Sequence, residues 1–347
     1  NKKMAVKFTK PEINVREKLA ELDKPSGIAG EALLRADSVQ EQRDLIGAGR
    51  RNAIINGGFD VWQRGTSVTT DGFDEYTVDR FMGYGKTSSW GGSYVATTFS
   101  RQAFAAGQTE VPGNPKYYAR LTGTSTGRKN TFSTYLEDAT TFSGQIVTLS
   151  FYARSSTPVF LDTQVQQSFG SVNTVDFDPN ITTTDTWTRY VRVFKMPSLA
   201  GETISSDSKL IVYLLRTEDV PSGTTLDFAN AQLELGSVAT EFDNSLSYGE
   251  QLALCQRFYY TTGYQKRHAA IGSGLYWHES LMFPVQMRAN PTCTWTTQAG
   301  SNFTIHGFET TNTGSDYNGN GVRIDFRSNS TSISAYLYGT MTANAEL

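Results

Sequence analysis

The sequence predicts a mainly β fold: a short helical N-terminal arm, a β jelly-roll sandwich, a linking helix and a small C-terminal β domain. Three observations predict it. Aromatic residues make up 12% of the 347 residues and Gly accounts for 31, while only 19% are charged, a mixture suited to turn-rich β structure. From residue 52 onward, short apolar runs alternate with Gly, Ser, Thr, Asn and Asp. The charge texture also changes abruptly near residue 51. Residues 1–51 hold eleven Lys/Arg and eight Asp/Glu, which leaves twenty and twenty-six for the rest of the chain.

The elements follow in order. In residues 1–51, PEINVREKLAELDKPSG places Val15, Leu19 and Leu22 at helical spacing, and Pro25 with Gly27 ends the run. ADSVQEQRDLIGAG offers Asp37 or Ser38 as N-cap and Gly47 as a stop. Neither helix carries an apolar stripe wide enough to stand alone, so this arm is expected to dock on a partner surface. Residues 52–245 read as the sandwich. INGGFDVW is its expected first strand, with Gly57 and Gly58 bending the backbone through positive φ. IVTLSFYAR sets Val147, Leu149, Phe151 and Ala153 on one face. KLIVYLLR reads as a strand buried on both faces, and TTLDFANAQLELG puts Asp227, Ala229, Ala231, Leu233 and Leu235 on one side. WTRYVRVFKMP is a further aromatic strand that ends at Pro197. SYGEQLALCQRFYY predicts the linking helix over 246–260. Residues 261–347 return to alternation, as in Val322, Ile324 and Phe326 against Arg323, Asp325 and Arg327, and form the second β domain.

Bulk properties narrow the function classes. A net charge of −3 gives no electrostatic footprint for nucleic acid or an anionic membrane. No run of about 18 apolar residues predicts a membrane span, and no charged-then-apolar leader opens the sequence. Cys255 and Cys293 have neither metal nor redox spacing and are expected to be buried thiols, as suits synthesis in a reducing cytoplasm. His268, His278 and His306 lack zinc-type spacing. GYGKTSS at 83–89 lacks the first P-loop glycine and reads as a polar loop. Acidic candidates for glycoside hydrolysis are Asp71, Asp74, Glu75, Asp79, Glu137 and Asp138, yet acidic residues in turns more often cap or face water. Asp79 and Arg80, set between aromatics, are expected to brace the loop beginning at Phe81.

Sugar recognition needs an aromatic face for the ring and amide, carboxylate or Arg groups for the hydroxyls. MGYGKTSSWGGSYV supplies Tyr84, Trp90 and Tyr94 in an expected exposed loop, with Trp90 the foremost platform. SGLYWHES supplies Tyr276, Trp277 and His278, and GSDYNGNG supplies Tyr317. Trp62, Trp187 and Trp295 lie on strand-like runs and are assigned to the core.

Four stretches in this order, RNAIINGGFDVWQRG, YTVDRF, VTLSFYARS and AQLELGSVATEFDNSLSYGEQLALCQRFYY, resemble the carbohydrate-binding-module-like jelly roll of tail fibres, the receptor-binding proteins of tailed bacteriophages. The resemblance covers about residues 51–260. SLMFPVQMRANPT and the closing ANAEL also look like the C-terminal region of such fibres, and residues 1–50 look loosely like a virion-attachment arm. The resemblance implies a non-enzymatic virion protein, usually a homotrimer, that contacts other virion proteins through residues 1–51 and host-surface glycans through its outer domains. It also implies a possible structural calcium ion between the first and last strands, at Asp60 and Asp227, with Arg80 or a backbone amine as the alternative partner of Asp227. A polysaccharide depolymerase and a purely architectural head or baseplate decoration protein are the competing readings.

Overall fold

The computed structural model describes residues 50–72, 75–86, 92–123, 129–176, 181–217, 220–268, 272–310, 319–329 and 335–347. Its contacts divide the chain into two units, Asn1–Arg51 and Asn52–Leu347. The two helices expected in the first unit lie outside the described residues, and every described element belongs to the second unit.

The first half of the sandwich runs β1 (Ser67–Thr70), β2 (Phe81–Lys86), β3 (Tyr94–Val95), β4 (Thr97–Ala103) and β5 (Tyr117–Thr122). After β6 (Lys129–Glu137) and β7 (Ile146–Ser155) come β8 (Phe160–Leu161), β9 (Gln164–Ser168), β10 (Val172–Asp176) and β11 (Ile181–Thr182). It closes with β12 (Thr188–Lys195), β13 (Lys209–Thr217) and β14 (Thr225–Leu235). Two antiparallel six-stranded sheets result, β1-β4-β5-β14-β7-β12 and β10-β9-β13-β6-β2-β3. Their inner faces meet over one aromatic core. Phe132 lies 5.1 Å from Phe81, 5.3 Å from Phe99 and 5.4 Å from Phe228, centroid to centroid. The β7 alternation holds, since Val147, Leu149, Phe151 and Ala153 all belong to this core. Gly83 has no side chain because the Phe99 ring crosses it: a Cβ there would stand 2.1 Å from the ring. GYGK is thus part of a strand rather than a loop.

Further readings of the sequence change. INGGFDVW is a turn lying against β14, not a strand. The Asn52 side chain adds to the backbone bonds that Ala53 and Gly57 make with β14: its amide donates to Ala231 O at 2.9 Å, and its Oδ1 accepts from Leu233 N at 3.1 Å. The positive φ angles fall on Asn56 (60°) and Phe59 (57°), not on the glycines. Asn56 stabilises its own turn by bonding Val61 in both directions. Gly57 is needed for close approach instead, because a Cβ there would lie 2.0 Å from Ala231 O. Opposite it, β14 carries a bulge between Ala229 and Gln232, with Asn230 at φ 49°. The bulge reverses which side faces the core. Leu226, Phe228, Ala231 and Leu233 point inward, whereas Ala229 packs with Trp187 and Tyr118 on the outer side, so the single face expected from Asp227 through Leu235 does not exist.

A helix, α1 (Tyr248–Gln256), follows the sandwich. Ser247 and Glu250 form a reciprocal capping box, with Glu250 Oε2 accepting from Ser247 N at 2.7 Å. The C-terminal β unit comprises β15 (Tyr259–His268), β16 (Tyr276–Met282), β17 (Thr292–Ser301), β18 (Phe303–Glu309), β19 (Gly321–Ser328) and β20 (Ala335–Asn344). These form two three-stranded sheets, β15-β20-β17 and β16-β19-β18, packed over Val322, Ile324, Phe326, Leu337 and Met341. Trp62 and Trp187 are buried, and Trp295 packs half-buried against the C-terminal core.

The Asp79–Arg80 dipeptide joins the two β parts, and the two residues do not pair with each other. Asp79 accepts from Gln63 N and Nε2, both at 2.6 Å, and Gln63 Nε2 also reaches Tyr259 O at 2.8 Å. Arg80, 1% exposed, donates to Glu346 and to Tyr135 O, and its guanidinium lies 3.5 Å from the Phe258 centroid. Asp79 and Arg80 therefore brace the C-terminal unit against the sandwich, not merely the loop at Phe81.

Candidate functional site

Strand alternation decides which side chains the second sheet displays. In β2, Phe81, Gly83 and Gly85 turn inward, so Met82, Tyr84 and Lys86 turn outward. Register then places Thr131 opposite Tyr84, Tyr94 opposite Lys86 and Ser133 opposite Met82. Beyond β6, Tyr213 and Arg216 of β13 stand on the same face, with Gln164 and Gln166 of β9 beyond them. The Tyr84 and Tyr94 rings meet edge to face at 5.9 Å. The Lys86 ammonium lies 4.8 Å from the Tyr94 centroid and 5.8 Å from that of Tyr84. Arg216 sits 5.8 Å from the Tyr213 ring and bonds Gln164, while Tyr213 OH donates to Gln166 Oε1 at 3.4 Å. Burial holds the Tyr84 phenol above its ordinary pKa, so it stays a donor. The other end of this face is closed: Leu347 and Tyr76 pack on Met82, Tyr135 and Ile211.

Tyr84 and Tyr94 are therefore strand residues rather than loop residues, brought together by the β2–β3 pairing. Trp90 and Tyr317 lie outside the described residues. Trp277 does not serve as a platform. It is half-buried and packs edge to face on Phe303 at 5.4 Å. Its neighbours Tyr276 and His278 take the outer side of β16, where His278 Nδ1 meets Asp325 Oδ1 at 2.6 Å and Tyr276 meets His306 at 4.8 Å. Arg323 completes this cluster at 2.9 Å from Asp325, and with His278 it holds the Asp325 carboxyl below its ordinary pKa against the opposing effect of burial.

Asp60 and Asp227 answer to different cations. Asp227, 3% exposed, is bridged by Arg120 (Nε to Oδ1 2.7 Å, Nη2 to Oδ2 2.9 Å) and by Arg154 (Nε to Oδ2 3.0 Å). Two guanidiniums on one carboxylate repel a metal cation, so this donor set does not fit a calcium ion shared with Asp60. Nor does Arg80 answer Asp227. Among the described residues no group of three His, Cys, Asp or Glu side chains is placed to hold a metal. Asp60 instead lines a cleft of about 450 Å³ together with Arg101, Lys116, Tyr117, Phe242 and Tyr248. Burial raises its pKa, opposed by Lys116 and Arg101.

The hydrolytic candidates are dispersed. Glu137 pairs with Arg257, Asp138 caps its own turn through Thr140 N at 2.8 Å, Glu75 accepts from Asp71 N at 3.3 Å, Asp79 is in the join, and Asp74 lies outside the described residues. Reading KLIVYLLR as buried on both faces concealed Tyr213 and Arg216. Their polar tips inside an apolar run were the available signal.

No protein-family model and no curated protein matches the chain. Among solved structures, the chain is similar to the CBM22-1 xylan-binding domain from Paenibacillus barcinonensis, at 17% identity over 50% of this chain and 94% of that one, with a TM-score of 0.31. A putative sugar-binding protein from Bacteroides thetaiotaomicron aligns at 15% identity over 54% of this chain and 100% of that one, with a TM-score of 0.34. Tailspike protein 4 of bacteriophage CBA120 aligns at 13% identity over 53% of this chain and 21% of that one, also at 0.34.

Proposed function

We propose that this chain is a non-enzymatic glycan-binding display protein, and that the Tyr84–Tyr94 end of the second sheet's outer face is where the saccharide lies. One observation carries the reading: Tyr84, Tyr94 and Tyr213 share a strand face with Lys86, Arg216, Gln164 and Gln166. Tyrosine rings stack on the apolar faces of sugar rings, and amide, ammonium and guanidinium groups bond their hydroxyls. The four-motif resemblance supports the wider setting, a homotrimeric fibre of a tailed-phage virion that docks through residues 1–51 and presents its β domains to host-surface glycans.

A glycan array probed with the full chain and with the Tyr84→Ala/Tyr94→Ala double variant tests the site. The wild type is expected to bind a defined glycan set and the double variant to bind it at least tenfold more weakly, about 1.4 kcal/mol. Equal binding by both proteins rejects the site. Incubation with the bound glycan is expected to release no new reducing ends, and release of such ends would favour the depolymerase. Solution mass tests the fibre setting: a chain that stays at its monomer mass of 38.3 kDa rejects the trimer.

A further inference from the structure

We propose that the cleft beside Asp60 is a second saccharide subsite, separate from the Tyr84 face, that takes the end of a neutral sugar chain. The proposal rests on the glycan reading for its ligand class only. The cleft is built from parts of the first sheet, namely Arg101 of β4, Tyr117 of β5 and Asn230 of the β14 bulge, with the 242–251 segment and the turn that carries Asp60. Its volume of about 450 Å³ lies in the range of small-molecule clefts, about 300–1,000 Å³.

The chemistry of the walls selects the ligand. Among the described residues no hydrogen-bond donor meets the Asp60 carboxylate, although it is removed from much of its water. An ionised carboxylate is acceptor-only and can take two donors at once, which matches a pair of adjacent hydroxyls. Lys116 and Arg101 face it through space, and the Arg101 guanidinium is steadied 4.3 Å above the Tyr117 ring. Phe242 and the 60%-exposed Tyr248 provide aromatic surface. The charged side chains of the lining, Asp60 and Asp243 against Arg101 and Lys116, cancel, so the walls favour an uncharged sugar over a uronic or sialic acid. Gly58 leaves the carboxylate room at this point, because a Cβ there would press on it, 3.1 Å from Asp60 Oδ2. The turn that places Asp60 is over-determined by Asn56 and Gly57, so the carboxylate is held in position before any ligand arrives.

Calorimetric titration of the full chain with the methyl glycosides of glucose, galactose and mannose, and with glucuronic acid and calcium chloride, tests this. Asp60→Asn and Tyr248→Ala are each expected to weaken binding of one neutral glycoside at least tenfold. Tyr248 is exposed enough that its variant cannot fail merely by misfolding. If only Tyr84→Ala/Tyr94→Ala removes glycoside binding, the cleft is overturned and the outer-face reading stands. If only the cleft variants remove it, the cleft stands and the outer-face reading falls. Calcium binding lost in Asp60→Asn without any glycoside binding, tighter binding of glucuronic acid, or no glycoside heat at all each overturns the proposal.

Discussion

The two outer faces of the sandwich are built from the same residue types and behave in opposite ways. On the first sheet, Tyr118 and Trp187 meet at 5.3 Å, Phe104 adds a third ring 5.3 Å from Trp187, and Arg154 covers that indole at 4.8 Å. Asp227 fixes both guanidiniums from below, and Val111 from the loop after β4 completes the cluster. Every one of these rings already has an aromatic neighbour. On the second sheet, Tyr84 and Tyr94 meet edge to face with Lys86 beside them, and Tyr94 stays exposed. An aromatic–cation pattern in a β strand therefore does not mark a binding platform. Among the described residues the rings differ in how far their neighbours bury them: Tyr118 is 7% exposed and Tyr94 36%.

The largest effect that bears on this contrast belongs to the closed end of the second face. Removing Glu346 leaves the Arg80 guanidinium buried without its counter-charge, and breaking such a pair costs about 4 kcal/mol. Glu346→Ala is expected to lower the unfolding free energy by about that much in urea titration. The strand around Tyr135, now covered by Leu347, should lose amide protection in hydrogen exchange. Unchanged stability would mean that the join is not what closes this end. On the first face, Asp227→Ala leaves two guanidiniums facing each other. Each is more than a quarter exposed and regains some hydration, so the expected loss is smaller, about 3 kcal/mol. A loss below about 1 kcal/mol, as for a surface pair, would show that this face is not locked.

The sharpest contrast comes from paired tyrosines. Tyr118→Ala is expected to cost about 3 kcal/mol, as for a buried aromatic, with glycan binding intact. Tyr94→Ala is expected to cost under about 0.5 kcal/mol, as for surface changes, with glycan binding reduced. Equal thermal shifts in the two variants would erase the distinction between the faces.

The elements that sequence reading captured are those set by local rules. IVTLSFYAR alternates because one face meets water and loops while the other meets the core. The helical spacing of SYGEQLALCQRFYY announces α1, which the structure shows capped by Ser247 and Glu250, and Val322, Ile324 and Phe326 announce β19. The readings that changed depend on contacts between distant residues. Gly57 marks a turn because Ala231 O needs its missing Cβ, and Arg80 is a join because its partner lies 266 residues away. Nothing within a ten-residue window contains either fact. Tyr84 and Tyr94 were legible as candidates by residue type, but their meeting on one face required the β2–β3 register. The cleft at Asp60 was legible only as a carboxylate beside a double glycine. Its Arg101, Lys116, Phe242 and Tyr248 come from three separate segments.

The smallest expected effect concerns that carboxylate, and its sign separates the cleft from both sheet faces. Burial raises the Asp60 pKa in the folded chain, the nearby Lys116 and Arg101 only partly offsetting it. A carboxyl whose folded pKa exceeds its unfolded value favours folding while protonated. That contribution is complete below the unfolded pKa and is lost as pH rises through the folded one. At neutral pH, then, the ionised Asp60 weakens the fold, whereas Asp227 is held between two guanidiniums. Asp60→Asn should melt at or slightly above the wild type at pH 7, and the gap should close as the pH falls through the ordinary carboxylate range. Thermal melts of both proteins from pH 3 to 7 check this. A variant that melts lower at pH 7 would show that Asp60 is paired within the fold, as Asp227 is, and not held in reserve for a ligand. A residue that weakens the fold where it stands and faces an open cleft is the pattern of a site shaped for binding.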